Sequence, residues 1–220
     1  MLLEDQPMET GLENSAHWDS RYLKCDTPWD SGLVSRELDS MLREAAIPPG
    51  RAFELGCGTG INAVHLATLG FDVVAADCSQ VAINRARQRA AAAGVKITFV
   101  VADLCRVAEL RSALAAAGIH WPDRSVTFLF DRGCYHCARK SCWEGYRDTV
   151  RWLAAPGARL LMLCGNANEP GTQGPPRVTE SEIRQDWSEL CEIDRLREFR
   201  FEDRGGVPGP LGWSCWMTVR

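Results

Sequence analysis

The chain has 220 residues, 45% of them hydrophobic and 25% charged, with a formal net charge of -4. That size fits one domain with a full core, and the composition is that of an ordinary globular protein. The acidic balance gives no electrostatic footprint for nucleic acid or an anionic membrane, and no apolar run approaches the roughly 20 residues of a membrane-spanning helix.

Residues 1–12 read as a flexible leader. Met1-Leu2-Leu3-Glu4-Asp5 lacks the basic segment and apolar core of a signal peptide, so a soluble, cytoplasmic protein is expected. The domain is expected over 13–220, with lid helices over 13–50. Asn14 is read as an N-cap for a short helix carrying Trp18 and Tyr22 four apart on one face. A turn-rich loop, Asp26 to Gly32, presents Trp29. After Ser35, Leu38, Met41, Leu42 and Ala45 recur at helical spacing until Pro48-Pro49-Gly50 stops the helix.

Arg51-Ala52-Phe53 reads as a buried strand, followed by Glu54-Leu55-Gly56-Cys57-Gly58-Thr59-Gly60 and a helix from Ile61 to Leu69 ended by Gly70. Phe71 to Asp77 is a second strand, with an apolar run suited to burial on both faces. Val81, Ala82, Ala86, Ala90 and Ala93 mark the inner face of the next helix, stopped by Gly94. Val95 to Val101 is a third strand ending at Ala102-Asp103. Val107, Leu110, Leu114 and Ala117 mark a helix, and Val126 to Phe130 a fourth strand ending in Asp131-Arg132-Gly133. A helix bearing Trp143, Tyr146, Val150 and Leu153 leads through Pro156-Gly157 to a fifth strand, Arg159 to Cys164. A polar loop from Gly165 to Arg177 follows. Thr179 and Glu182 form a capping box for a helix bearing Ile183, Trp187 and Leu190. Segments around Ile193 to Phe201 and Trp213 to Val219 look like closing strands. Strands alternating with helices predict a doubly wound α/β sheet, with no internal repeat and no second domain.

A glycine-rich turn between strand and helix offers a tight bend and free N–H groups. Only Thr59 separates Gly58 from Gly60, whereas a dinucleotide fingerprint needs two residues there, so a nicotinamide-dependent oxidoreductase is disfavoured. Asp77 ends the second strand, 17 residues after Gly60. A carboxylate there can accept ribose hydroxyls or cap the next helix. Asp103, at the end of the third strand, has the same two readings.

Glu54 to Gly60 resembles motif I of the class I S-adenosyl-L-methionine (SAM) methyltransferases. Asp131-Arg132-Gly133, Gly174-Pro175-Pro176, and the N-terminal Trp18 to Tyr22 and Thr27 to Gly32 segments resemble the thiopurine S-methyltransferase and thiol methyltransferase family. The resemblance implies a single-domain Rossmann-like sheet of seven strands, mostly parallel with a C-terminal antiparallel strand. It implies SAM as cofactor, held by Glu54, Gly56, Gly58, Gly60, Asp77, Cys78, Asp103, Leu104 and Asp131. Trp18, Tyr22 and Trp29 would form a lid whose aromatic faces suit a sulfonium cation. Asp131 and Arg132 would face the acceptor, Arg132 drawing a thiolate or salt-bridging Asp131. The implied activity is methyl transfer to a small-molecule thiol or related soft nucleophile. Metalloid or halide methylation in detoxification, and a non-catalytic SAM-binding module, are the alternatives. No nucleic acid, membrane or resident metal is expected, and the expected assembly is a monomer or weak homodimer.

The ten cysteines are read as reduced, mostly buried hydrophobes. Cys134-Tyr135-His136-Cys137, with Cys142, departs from the apolar stretch of thiopurine enzymes. Its sulfurs and imidazole can suit zinc or a metalloid, but the second ligand pair of a finger-like site is absent. His136 is a candidate general base or a structural residue. His17, His65 and His120 carry no assigned role.

Overall fold

The computed structural model describes residues 12–171, 174–202 and 208–220. The expected leader lies outside the described residues except for Leu12, where α1 (Leu12–Leu23) already begins, ahead of the expected Asn14 cap. The remaining helices are α2 (Arg36–Glu44), α3 (Ile61–Thr68), α4 (Gln80–Ala93), α5 (Val107–Ala116), α6 (Cys134–Leu153) and α7 (Glu180–Trp187). The strands are β1 (Arg51–Leu55), β2 (Asp72–Asp77), β3 (Thr98–Val101), β4 (Val126–Arg132), β5 (Ala154–Asn166), β6 (Arg177–Val178), β7 (Cys191–Arg200) and β8 (Leu211–Val219).

Seven strands run in the order β3-β2-β1-β4-β5-β8-β7, and β6 is an eighth, two-residue strand beside β5. Only β8 runs against its neighbours: β5 and β7 both pair with it antiparallel, and every other pairing is parallel. The short β6 arises because the loop after β5 turns back at once. Gly165 and Asn166 pair with Arg177 and Val178, and a Cβ at Gly165 would stand 2.3 Å from the Pro176 carbonyl oxygen. Gly165 therefore belongs to the sheet, not to the loop expected to start there.

Successive strand residues face opposite layers. Phe53, Leu55, Val74, Ala76 and Leu129 pack with α5, α6 and α7. Ala52, Val73, Ala75, Phe128 and Phe130 pack with α2, α3 and α4. Apolar residues at both parities are what a sheet covered on both faces requires.

The largest departure from expectation is α6. It starts at Cys134, so the Cys-Tyr-His-Cys run forms its first turns, and it kinks at Cys142 (φ -153°, ψ 35°). The kink rests against the loop after β3, where Cys142 forms a disulfide with Cys105 (Cα–Cα 5.7 Å). The expectation that every cysteine is reduced is therefore corrected. Gly145 allows this approach, since a Cβ there would lie 2.1 Å from the Cys105 carbonyl oxygen.

Candidate active site

The candidate site lies beyond the carboxyl ends of β1, β2 and β4, where open α/β sheets bind ligands. The turn after β1 needs its glycines. Gly58 has φ 52°, and a Cβ there would lie 2.8 Å from the Tyr22 hydroxyl; Gly56 has φ 68°, and its Cβ would meet that of Cys134 at 2.8 Å. The Gly58 N–H donates to Oδ2 of Asp77 at 2.8 Å, and the Ser79 N–H donates to Oδ1 at 2.9 Å. Asp77 thus ties the turn to the tip of β2, and burial raises its pKa. Cys78 beside it is a free thiol, pushed up by burial and by Asp77.

Glu54 is 2% exposed. Burial pushes its pKa up to about 8, opposed by the Asn62 side chain and the Ala63 amide. Its Oε2 is buried without a hydrogen-bond partner. A second unpartnered acceptor is Oδ1 of Asp30, whose Oδ2 accepts from Thr59 Oγ1 at 3.0 Å. Two orphaned carboxylate oxygens beside one glycine turn form an environment for a cationic or ammonium-bearing ligand.

The N-terminal segment closes over this turn. Trp18 and Tyr22 each meet Trp29 edge to face, at 5.2 and 6.0 Å, and Trp29 Nε1 donates to the Tyr22 hydroxyl at 3.3 Å. Asp19, which sequence reasoning missed, fastens α1 to the start of α4. Its Oδ1 accepts from Ser79 Oγ at 2.5 Å and from the Val81 N–H at 3.1 Å, at the start of α4. The available signal was position: Asp19 lies three residues before Tyr22, hence on the same helical face.

Asp103 Oδ1 accepts from the Cys105 N–H at 2.8 Å, which makes it a turn-former. Leu104 is 5% exposed and sits in the α5–α6 core layer. Asp131 and Arg132 part company. Asp131 is fully buried on the α6 side, accepting from the Cys134 and Tyr135 amides at 2.8 Å each and from the Tyr146 hydroxyl. Burial pushes its pKa up to about 6 against those donors. Arg132 emerges on the other face, where its partner is Oε2 of Glu202 at 3.3 Å, not Asp131. Its NH1 also donates to the Trp29 carbonyl at 2.9 Å.

His136 is 7% exposed, and its Nδ1 accepts from the Gly165 N–H at 3.0 Å. Burial first, then the Arg132 charge, pushes its pKa down to about 4. The ring is neutral at pH 7, and its single proton is on Nε2. Such a ring donates at Nε2 and has no idle lone pair with which to act as a base. Cys134 and Cys137 are raised by burial, Cys137 to about 12, so both remain thiols. Among the described residues no group of three or more His, Cys, Asp or Glu side chains is placed to hold a metal ion. A surface cleft of about 370 Å³ lined by Asp72, Arg87 and Lys96 lies at the amino ends of β2 and β3, away from this chemistry.

A family model for thiopurine S-methyltransferase matches residues 13–204. The chain belongs to the thiopurine S-methyltransferase family. This family member is 32% identical over 173 residues to a probable thiol methyltransferase 2 of Arabidopsis thaliana, covering 78% of this chain and 71% of that one. It is 27% identical over 181 residues to a 2-heptyl-1-hydroxyquinolin-4(1H)-one methyltransferase of Mycobacteroides abscessus, covering 81% and 74%. Its fold is similar to that of a Burkholderia thailandensis 1,6-didemethyltoxoflavin-N1-methyltransferase solved with S-adenosylhomocysteine, with a TM-score of 0.72, 16% identity, and 98% and 93% of the two chains covered. The protein is a SAM-dependent methyltransferase, and the residues fit that cofactor. The orphaned oxygens of Glu54 and Asp30 suit the positive charge that SAM carries. No helix among the described residues is long and apolar enough to cross a membrane.

Proposed function

We propose that this methyltransferase acts on sulfur, in a small-molecule thiol or a related soft nucleophile. The observation that carries the reading is that neither candidate base at the β4 tip, His136 or Asp131, is free to take a proton from the acceptor. The Nδ1 lone pair of His136 is taken by Gly165, and the Asp131 carboxylate is sealed among its donors. An acceptor served by such a site must ionise without help, as a thiol does near neutral pH. The similarity to a probable thiol methyltransferase supports the same atom.

When bound, SAM supplies a methyl group on a positively charged sulfonium, and with it the leaving group. Glu54 and Asp77 at the strand tips would hold its ammonium and ribose, and Gly56 to Gly60 would let the backbone come close. Trp18, Tyr22 and Trp29 would cover it and exclude water. The Nε2–H of His136 and the Arg132 guanidinium would orient the acceptor. An acceptor thiolate, its proton lost to water, would supply the electron pair for the new S–C bond, and the cofactor would leave as neutral S-adenosylhomocysteine. Alignment of this kind can contribute roughly 7–11 kcal/mol.

A second reading is an acceptor with an acidic N-hydroxyl on a heteroaromatic ring, favoured by the similarity to the hydroxyquinolone methyltransferase. It too would need no base. Purified protein incubated with SAM and a panel of thiols, sulfide, selenite, arsenite, iodide and an N-hydroxyquinolone separates the acceptors, including the metalloid and halide alternatives. Tight SAM binding with no transfer to any of them would leave a binding module and sink the proposal.

A further inference from the structure

Arg132 is held on three sides. NH2 lies 3.3 Å from Oε2 of Glu202, NH1 donates to the Trp29 carbonyl at 2.9 Å, and the guanidinium lies 5.0 Å from the centre of the Phe201 ring. Its side chain is 13% exposed and that of Glu202 4%. Glu202 is held in turn, for its Oε1 accepts from the Arg36 N–H at 2.7 Å, in the first turn of α2. A carboxylate at a helix start beside a buried cation is in a favourable field. The pair therefore persists as a unit with no net charge.

Among the described residues, no second cation is in contact with Arg132. His136 is neutral, Asp131 faces the opposite layer, and the Cys134 and Cys137 thiols are protonated. The Arg132 Nε is buried without a hydrogen-bond partner, and an anionic group brought to it would face the Glu202 charge at close range. A neutral aryl group would instead meet the Trp29 and Phe201 rings. The reacting sulfur differs from such a bystander, because its negative charge is answered by the sulfonium and is consumed in the reaction.

We propose that Glu202 sets the charge class of the acceptor: by neutralising Arg132 it admits thiols whose sulfur is their only acidic group and rejects those with a second, bystander anion. The inference rests on the sulfur-acceptor reading above and narrows it. Discrimination of this kind works through a repulsive element as much as an attractive one.

The test compares thiophenol with 4-mercaptobenzoate, which differ by one bystander carboxylate, in the wild type and in Glu202→Gln. Glutamine keeps the shape and the acceptor for the Arg36 amide and removes only the charge. The wild type should favour thiophenol in kcat/KM by at least about tenfold. The variant should shift that ratio toward 4-mercaptobenzoate by about tenfold, chiefly through KM. Thermal midpoint and S-adenosylhomocysteine affinity are measured alongside. A merely structural role for Glu202 would weaken both substrates equally, and an unchanged ratio overturns the inference. If the wild type methylates neither thiol, the same ratio is read as calorimetric binding to the S-adenosylhomocysteine complex. A charge-dependent shift there upholds the role of Glu202 while counting against sulfur methylation. Failure of both ligands to bind either protein overturns the role of Glu202.

Discussion

The Gly165 N–H and the Nδ1 of His136 meet at 3.0 Å, and that single bond decides which way the imidazole can work. With its pKa held near 4, the ring does not titrate between pH 5 and 8. The rise of kcat/KM with pH should therefore follow the acceptor's own ionisation. The limb for thiophenol should lie well below the limb for an alkyl thiol. A limb at one fixed pH for both acceptors would assign the proton to the enzyme instead.

Glu54 should couple cofactor binding to proton release. Its pKa of about 8 leaves it largely protonated in the free protein at pH 7, and a bound cation would draw it into the ionised form. Calorimetry in buffers of different ionisation enthalpy should detect the released proton, and affinity should weaken as pH falls below about 8. Glu54→Gln should abolish the release and weaken binding by about 1.5–3 kcal/mol. The linkage for folding has the opposite direction. The native state holds the proton more tightly than the unfolded chain, so this group's contribution to stability falls as pH rises from about 4.5 to about 8.

Removal of the Asp19 side chain should unfasten α1 from the start of α4. Asp19→Ala leaves the start of α4 without the carboxylate that accepts from Val81 and Ser79. A loss of about 1 kcal/mol in stability is expected from the helix start alone. Affinity for S-adenosylhomocysteine should fall as well, with faster hydrogen exchange confined to α1. Unchanged exchange in α1 would show that the aromatic contacts suffice to hold it.

Thiol titration of the denatured, unreduced protein should find eight reactive groups among the ten cysteines, because Cys105 and Cys142 are joined. The bridge closes a sequence separation of 37 residues. On the chain-entropy account it contributes up to about 4 kcal/mol. Reductant should lower the thermal midpoint of the native protein, and Cys142→Ser should lower it to the same value and make it indifferent to reductant. Ten reactive thiols would refute the bridge.

Much of the scaffold was legible in the chain. The apolar runs ending in Asp77, Asp103 and Asp131 marked strand tips, because parallel strands buried on both faces leave little room for polar residues until they reach the crevice. The glycine spacing from Gly56 to Gly60 distinguished the cofactor class for the same local reason. Pairings set by distant packing were hidden. Nothing near Arg132 in the sequence points to Glu202, 70 residues away, and adjacency suggested Asp131 instead. Cys105 and Cys142 gave no sign of meeting, since the kink that brings them together depends on how α6 lies against the loop after β3. By residue type His136 could be read as a base or as a structural residue. Only the backbone amide of another strand fixes its proton on the far nitrogen.

The alternation at the end of β4 places two unlike demands on neighbouring positions. Asp131 turns inward and anchors the first turn of α6, while Arg132 turns to the other face, toward Glu202 and the Trp29 carbonyl. In a saturation scan the two columns should diverge: replacements at 131 should deplete the yield of folded protein, whereas Arg132→Lys, which keeps a cation against the buried Glu202, should leave folded protein with altered acceptor preference. One strand end would then record architecture and chemistry on adjacent codons, and new substrate ranges would be open to this scaffold through the second of them alone.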